Sequence, residues 1–584
     1  MSDDDNNSYR KKMTKKMFMM AISSVLLVAM GFVAGVAYSN TNNRSKETDI
    51  STTSRVVPAA PAGPVPQIIQ DLCNSSLIKD NCMTNIMKYS GNITDPKELV
   101  KLAVQLASKS LEIALEDSEP LKATTIDPMA KRGLEICDMK IHTAMNDLNR
   151  SVAEIDKFDP ATGDKSIDNL KTWLEATLTF QEVCVDAFAN TTGPDGHKMR
   201  EILTLSGMAA CNCLAMVDGW TRIMQKTNPT AAAPHRRLLG GGASTGTNDF
   251  PGWVTPTQRK LLASAPADIK PDITVAQDGS GQFKTINDAI KSIGANYKVP
   301  FVIYIKTGVY NEQVIIRNEL VGIMFIGDGP DKTRVTGNKN YRDGFQTQDT
   351  PTVAILAPGF IAKDMGFENT AGPEGFQAVA FLTQSDYSVY YNCQFDGYQD
   401  TLCPLAYRQF YRDCVISGTI DFIFGVARTV LQNCTIIVRK PMLNQENIIT
   451  AEGRQDPNGV SAIVIMNSKI VGAPEYLAVK DQIPTYLGRP WKVYSRTVIM
   501  HTEIDDIITP SGWAQWEGDA GLTTSYYAEF ENTGPGSNQK GRATWPGIKH
   551  IQAQEAENFT PAKLYVEGDD WIKATGVPYI AGMS

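Results

Sequence analysis

Histidine is scarce in this chain, with only five among 584 residues. Only His501 and His550 lie in the half from residue 266 on, and neither has a motif-like setting. A Ser-His-Asp triad or a multi-histidine zinc site needs well-placed imidazoles, so both are excluded there. A G-x-S-x-G match at residues 242–246 lies in low-complexity sequence with no strand before it, so it is not read as a catalytic elbow. Chemistry must therefore rest on carboxylates, and no cofactor or metal is expected.

An excess of positive charge is also lacking. The chain has 56 Lys and Arg against 64 Asp and Glu, and residues 263–584 have 27 against 35. Proteins that bind nucleic acid neutralise phosphates with Lys and Arg, so nucleic acid is not expected as a partner. An apolar content of 42% is typical of a globular protein, and the length exceeds that of one compact domain.

The N-terminal region predicts a membrane anchor. A basic tail at residues 1–16 precedes a charge-free apolar stretch at residues 17–38. That stretch is long enough to cross a bilayer, and the basic residues hold its N-terminal side in the cytosol. A cleaved signal peptide would have a shorter apolar core, so a signal anchor is favoured. The remaining chain is then expected to enter the secretory pathway.

Glycosylation sequons agree with a secretory location. Five are expected to be accessible, at Asn74, Asn92, Asn149, Asn190 and Asn558. A sixth, at Asn433, falls within a repeated apolar region and is expected to be buried.

After a proline-containing linker at residues 39–66, residues 67–229 predict an all-α unit. Apolar residues recur at helical spacing, as at Leu99, Leu102 and Leu106. Several such stretches are joined by short connections, which predicts an antiparallel four-helix bundle.

The helical unit has six cysteines, at positions 73, 82, 137, 184, 211 and 213. In an oxidising compartment they suggest a short Cys73–Cys82 bridge and a Cys137–Cys184 staple between helices. Cys211 and Cys213 are left over. No histidine cluster lies near them, so free or locally paired thiols are favoured over a metal site.

A second linker at residues 230–265 contains two basic tetrads, RRLL at 236–239 and RKLL at 259–262. A basic pair in a loop is usually only solvated charge. Two copies of the same pattern in one linker favour cleavage by a processing protease.

Residues 266–584 predict an all-β solenoid. An Asn or Asp followed by Cys, a spacer and a large apolar residue recurs at Asn392, Asp413 and Asn433, with periods of 21 and 20 residues. Self-similarity at this length in β-rich sequence predicts a parallel β-helix with one coil per repeat. The runs predicted as strands include 301–305, 322–326, 353–356, 387–391, 434–438, 462–466 and 497–500.

The same repeat places two carboxylates at equivalent positions. Asp400 follows Cys393 by seven residues, and Asp421 follows Cys414 by seven. Neighbouring strands lie about 4.8 Å apart, so the proton affinities of the two carboxylates split, which gives a nucleophile beside a general acid. The alternative is a pair of Asp residues that cap turns between coils. The repeat alone leaves both interpretations open.

Five ordered segments resemble the signature segments of plant pectin methylesterases: GVYNE (308–312), QAVA (377–380), GYQDTL (397–402), DFIFG (421–425) and LGRPW (487–491). The helical unit and its first four cysteines resemble the pectin methylesterase inhibitor fold, which is the pro-region of longer members. The two tetrads resemble their processing sites for a subtilisin-like protease. The resemblance implies a right-handed parallel β-helix at 266–584 that hydrolyses the C6 methyl esters of homogalacturonan in the plant cell wall and releases methanol.

The resemblance also implies residue roles. Asp421 would be the nucleophile, and Asp400 would protonate the departing methanol and then accept a proton from water. Gln377 and Gln399 would stabilise the oxyanion. Arg489 would hold Asp421 in its ionised form. The residues expected to bind substrate are Gln377, Phe424, Arg489, Trp491 and Trp513.

Two positions depart from the family pattern: Leu382 stands where Arg is usual, and Cys403 where Tyr is usual. One alternative is therefore a catalytically impaired pectin-binding or inhibitor protein. Another is a β-helix enzyme that cleaves the glycan chain, which would leave Gln377 and Gln399 without a role. The favoured interpretation is a membrane-anchored esterase precursor whose own pro-region inhibits it until the linker is cut, after which the enzyme acts in the cell wall.

Overall fold

The computed structural model describes residues 64–227 and 270–583, apart from residues 161–162, 190, 192 and 566–568. The predicted tail, the anchor, residues 39–63, both tetrads and the 242–246 motif lie outside the described residues. Within them, a helical unit is followed by a β unit, in the predicted order.

The helical unit is a bundle of four long helices preceded by two short ones. The helices are α1 Gln67–Cys73, α2 Lys79–Ser90, α3 Pro96–Thr124, α4 Pro128–Asp156, α5 Gly163–Asp186 and α6 Asp195–Thr227. Asp95 and Asp127 cap α3 and α4, each followed by Pro at the first helical position, where its missing N–H costs nothing. The four-helix prediction is confirmed, and the short helices α1 and α2 are an addition that the sequence did not predict.

Two disulfides join elements of the bundle. Cys73–Cys82 connects the end of α1 to α2, and Cys137–Cys184 connects α4 to α5. Cys211 and Cys213 on α6 are free thiols, as expected. No group of three or more potential metal ligands occurs in the described part of the chain.

Helix α6 is the one helix among residues 64–227 and 270–583 that is long and apolar enough to cross a membrane. Its most apolar window is 67% buried. This burial fits a core helix of the bundle, so α6 does not stand in for the anchor predicted at residues 17–38.

In its described residues the β unit contains 26 strands and five short α-helices, besides four 3-10 turns. In chain order the strands are β1 Ile273–Val275, β2 Phe301–Ile305, β3 Gly308–Asn311, β4 Val314–Ile316, β5 Ile323–Ile326, β6 Thr333–Gly337, β7 Val353–Ile355, β8 Ile361–Lys363, β9 Gly366–Asn369, β10 Phe381–Thr383, β11 Ser388–Tyr391, β12 Gln394–Asp396, β13 Leu402–Pro404, β14 Arg408–Arg412, β15 Val415–Gly418, β16 Ile423–Gly425, β17 Arg428–Gln432, β18 Thr435–Val438, β19 Asn447–Glu452, β20 Ala462–Met466, β21 Lys469–Gly472, β22 Thr485–Gly488, β23 Arg496–Met500, β24 Glu503–Ile504, β25 Tyr526–Phe530 and β26 Ile548–Lys549. The helices are α7 Ile286–Lys291, α8 Pro474–Leu477, α9 Ala553–Ala556, α10 Pro561–Leu564 and α11 Asp570–Thr575.

These strands form three parallel sheets. Sheet 1 has the order β1-β2-β5-β8-β11-β14-β17-β20-β23-β25-β26, sheet 2 the order β24-β21-β18-β15-β12-β9-β6-β3, and sheet 3 the order β22-β19-β16-β13-β10-β7-β4. The chain visits sheets 1, 2 and 3 in turn before starting the next coil. The predicted parallel β-helix is confirmed.

The repeat seen in the sequence is the corner between sheets 1 and 2. Successive coils place a residue with positive φ there: Asp364 (56°), Asn392 (49°), Asp413 (54°), Asn433 (54°) and Asn467 (50°). Asn and Asp tolerate this left-handed conformation better than most residues. The corners are linked, since Asn392 Nδ2 donates to Asp364 Oδ1 over 2.5 Å and Asn433 Nδ2 to Asp413 Oδ1 over 2.6 Å.

The expectation that Asn433 is buried was wrong. Its side chain is exposed, while the next residue, Cys434, is buried in the core of the coil. The corner turns one residue outward and the following one inward. Four of the other sequon asparagines, Asn74, Asn92, Asn149 and Asn558, are also exposed, and Asn190 lies outside the described residues.

The β-helix has apolar cores of its own. Two large clusters contain only residues of the β unit, one between Ile273 and Tyr527 and one between Val302 and Val577. A third cluster is shared, because it joins the core of the bundle to side chains on the outer face of sheet 3. The shared residues of sheet 3 include Leu382, Cys403, Phe424 and Ala451. The bundle therefore packs against the outside of sheet 3.

Candidate active site

Asp400 and Asp421 lie together at the corner between sheets 2 and 3. Each precedes a strand of sheet 3 by two residues, β13 for Asp400 and β16 for Asp421. Both have left-handed backbones, with φ of 65° and 49°. The Asp400 N–H donates to the Ile420 carbonyl over 3.0 Å, so the two corners are neighbours on adjacent coils. Their side chains are almost fully buried.

Arg489 holds one carboxylate of the pair. It follows β22, two coils beyond β16 in sheet 3. Its Nε donates to Asp421 Oδ1 over 2.8 Å and its Nη2 to Asp421 Oδ2 over 2.5 Å. A two-point, charge-assisted contact of this kind fixes the orientation of the carboxylate. The Trp516 ring lies against the guanidinium, 4.3 Å from ring centre to Cζ.

The other carboxyl group is favoured in its neutral form. Burial raises the pKa of Asp400 well above its usual value, and the negative charge of Asp421 raises it further, while Arg489 acts in the opposite direction. A protonated Asp400 therefore lies beside an arginine-bound Asp421. This is the division into acid and nucleophile that two close carboxyl groups permit.

Gln377 and Gln399 lie beside the pair. The Ala378 N–H donates to the Gln399 carbonyl over 3.2 Å, which joins the two segments on adjacent coils. Both side chains are partly exposed. Neither amide group makes a hydrogen bond to another residue in the described ranges, so both remain free to donate to a bound group.

The aromatic residues divide into two groups. Phe424 and Trp491 contact each other at 6.1 Å on the outer face of sheet 3, next to the carboxyl pair. Trp513 is only 1% exposed; it stacks on Tyr527 at 4.4 Å and donates to Glu529, inside a core made only of β-unit residues. The prediction that Trp513 binds sugar was therefore wrong, because the side chain points into the β-helix. Trp516, which sequence reasoning missed, is the tryptophan of that segment at the site.

The two departures from the family pattern lie side by side. Leu382 on β10 pairs with Cys403 on β13, and both are buried beneath the bundle. Burial raises the pKa of the Cys403 thiol. Lys140 of α4 reaches this region and donates to Gln384 over 2.8 Å, and burial lowers its pKa to about 8. No sequence signal had marked Lys140, because its role depends on where the bundle docks.

Further contacts hold the bundle over the site. Tyr407 of the β unit donates to Asp147 of α4 over 2.8 Å and meets Phe180 of α5 at 5.9 Å between ring centres. Lys492, next to Trp491 in the chain, donates to Glu182 of α5 over 2.5 Å. These contacts cover part of the outer face of sheet 3 next to the carboxyl pair.

Comparison with known proteins agrees with this geometry. The family described as pectinesterase matches residues 272–569, and the family described as plant invertase/pectin methylesterase inhibitor matches residues 67–216. Two Arabidopsis thaliana sequences, named as pectinesterase/pectinesterase inhibitors 28 and 21, are 43% and 42% identical over 99% of this chain and cover 76% and 84% of their own lengths.

Among solved structures, the pectin methylesterase from carrot is 45% identical, with a TM-score of 0.53. It covers 54% of this chain and 99% of the carrot chain, so the carrot structure corresponds to the β unit alone. Two family matches in the order bundle then β-helix, together with relatives that extend over nearly the whole chain, place this protein in the pectinesterase family, with an inhibitor-like region at its N-terminal side.

Proposed function

We propose that this pectinesterase hydrolyses the C6 methyl esters of homogalacturonan with Asp421 as nucleophile and Asp400 as acid and base. Asp421 attacks the ester carbonyl, and Asp400 gives its proton to the departing methanol. Asp400 then accepts a proton from the water that hydrolyses the acyl-enzyme. The observation that carries this proposal is the arginine-bound carboxylate of Asp421 beside a carboxyl group with a raised pKa.

Gln377 and Gln399 are proposed to donate hydrogen bonds to the oxyanion of the tetrahedral intermediate. One such donor lowers the barrier by about 3 kcal/mol. Their unpartnered amides support this role and disfavour a glycan-cleaving enzyme, which would give them none. Phe424 and Trp491 are proposed to contact the faces of the sugar rings. Both lie on the outer face of sheet 3, which becomes exposed once the bundle leaves.

The bundle is proposed to inhibit the enzyme in the same chain. The supporting observation is the apolar cluster shared by the bundle and sheet 3, which covers Leu382, Cys403 and Phe424. In this proposal the precursor is held in the membrane by residues 17–38. A subtilisin-like protease cuts at 236–239 or 259–262, and the β unit then acts in the cell wall.

Methanol release from highly methylesterified homogalacturonan tests this proposal. The chain cut in its linker and freed of the bundle is expected to be active, and the intact chain at least about tenfold less active. A full-length variant with both tetrads changed to alanine is expected to keep the low activity after exposure to the processing protease. Full activity in that uncut variant would rule out inhibition by the bundle, and no methanol from the freed β unit would rule out the esterase mechanism.

Docking of the bundle is expected to depend on pH through Asp147. This side chain is 3% exposed, and burial raises its pKa to about 6 in the docked chain. The docked state therefore binds a proton more tightly than the released bundle, where the usual value is about 3.9. Docking is strongest at low pH and weakens as pH rises through 6, by about tenfold between pH 5 and pH 7 for this group.

The measurement is the dissociation constant of the separated bundle and β unit at pH 5 and pH 7. Lys140 adds little to the difference, because its pKa of about 8 keeps it charged at both values. Asp147→Asn serves as the control, since an amide cannot titrate. An unchanged pH dependence in Asp147→Asn would contradict the assignment to Asp147.

A further inference from the structure

Helix α5 presents a line of carboxylates to the β unit. Asp168, Glu175 and Glu182 are spaced seven residues apart, which is about 10.5 Å on one side of an α-helix. Each of these three carboxylates contacts residues at or near the corner where the chain passes from sheet 3 to sheet 1. The line is therefore about 21 Å long, and it crosses several coils of the β-helix.

Asp168 occupies a pocket made by two arginines on adjacent coils. Arg428 Nη1 donates to one carboxylate oxygen over 2.6 Å, and Arg408 Nη1 to the other over 3.4 Å. Both arginines are almost fully buried, and Asp386 holds the far side of Arg408 at 2.9 and 2.7 Å. Nε of Arg428 is buried and has no hydrogen-bond partner among the described residues. The pocket is thus built within the β unit and carries unused donor capacity.

Glu175 occupies a second pocket, which is made largely of backbone. Oε2 accepts from the N–H groups of Val460 and Ser461 over 2.9 and 2.8 Å, and Oε1 accepts from Ser461 Oγ over 2.8 Å. Gly459 leaves room for the carboxylate, since a Cβ there would lie 2.2 Å from Oε1. Two converging backbone donors, the Ser461 hydroxyl, which also contacts Glu452 Oε1 over 2.8 Å, and a missing side chain form a site shaped for a carboxyl group.

We propose that these pockets, together with Lys492, form a carboxylate track for demethylesterified homogalacturonan. The acidic side of α5 fills the track in the precursor, and free galacturonate carboxylates fill it once the bundle has gone. The reaction supplies this ligand, because each ester hydrolysed leaves a carboxylate on the polymer. Methylesterified units lack the charge that the arginines recognise. The track and the aspartate pair lie at opposite ends of the sheet 3 strands. These strands are three residues long near the pair, so the two sites are about 10 Å apart.

This inference rests on the proposed release of the bundle, and it is tested by binding rather than by catalysis. The β unit, residues 266–584, is used alone because its two cores contain no bundle residue and the carrot enzyme consists of the equivalent part. Asp421→Asn is included in every protein so that a methylesterified ligand stays intact. Calorimetric titration then compares an oligogalacturonate long enough to span the track with its fully methylesterified form.

The parent protein is expected to bind the demethylesterified ligand more tightly. Arg428→Gln removes a donor from the first pocket, and Gly459→Ala fills the second without changing charge. Each is expected to weaken binding of the demethylesterified ligand roughly tenfold and to leave binding of the methylesterified form unchanged. Lys469→Gln is the control, since it removes one positive charge from an exposed side chain of sheet 2 that pairs with Glu503.

Two results would overturn the proposal. One is equal affinity of the parent for the two ligands. The other is parent-like affinity for the demethylesterified ligand in both Arg428→Gln and Gly459→Ala. Methanol released during the titration would instead count against Asp421 as nucleophile, so a failure of the mechanism is distinguishable from a failure of the track.

Discussion

Asp421→Asn in the freed β unit is expected to reduce methanol release by about 10⁴-fold or more. The amide cannot form the acyl-enzyme, and it also loses the two-point contact with Arg489 at 2.8 and 2.5 Å. The buried Asp400 beside it is favoured in its neutral form, so it is a poor substitute nucleophile. The measurement is the initial rate of methanol release from highly methylesterified homogalacturonan.

Asp413→Asn is a matched control for this substitution. Asp413 also has a left-handed backbone, with φ of 54°. It lies at the corner between sheets 1 and 2, away from the site. Asparagine occurs naturally at the same corner at Asn392 and Asn433, so the change is expected to be tolerated with activity close to that of the parent. A rate for Asp421→Asn within tenfold of the Asp413→Asn rate would place the nucleophile elsewhere.

Arg489→Gln is expected to lower the rate by roughly 10³-fold. Loss of orientation at the nucleophile costs about 10²-fold. Loss of the guanidinium also leaves the buried Asp421 carboxylate without its charge-assisted partner, which adds to the defect. The measurement is the initial rate of methanol release from highly methylesterified homogalacturonan.

A matched control variant separates this positioning role from a general loss of structure. Arg412→Gln is the control, because Arg412 pairs with Asp413 at 2.8 Å and is also largely buried, but at the opposite corner of the coil. Its rate is expected to match that of the parent. If Arg489→Gln lowers the rate no more than Arg412→Gln does, Arg489 does not position the nucleophile.

Much of the β unit could be predicted because each coil repeats the same local sequence pattern. A short apolar run fills the interior, and an Asn or Asp makes the left-handed corner, so the run predicted at 434–438 became β18, Thr435–Val438. The same phase argument brought Asp400 and Asp421 together. The roles of the remaining site residues came from the family motifs, and Arg489 in particular follows a strand two coils away from that of Asp421.

In the irregular segments, the sequence did not predict whether an individual side chain points into the core or toward the surface. Trp513 and Trp516 lie three residues apart outside any long strand, and only the path of that loop decides that Trp513 enters the core while Trp516 covers Arg489. The prediction for Asn433 was wrong because its apolar neighbours suggested burial, whereas the regular corner between sheets 1 and 2 turns its side chain outward. The docking face of the bundle left no local pattern, since it depends on contacts between residues more than 200 positions apart, such as Asp147 and Tyr407.

The apolar cluster shared by the bundle and sheet 3 bears on what proteolysis does. Cutting the linker breaks none of these contacts. The cut removes only the tether. Before the cut, the tether gives each unit an effective concentration of about a millimolar around the other. After the cut, the bundle leaves only when its local concentration falls below the dissociation constant of the pair. Activation is then set by dilution as well as by the protease, so a cut enzyme kept in a confined compartment stays covered until it is carried into a larger volume.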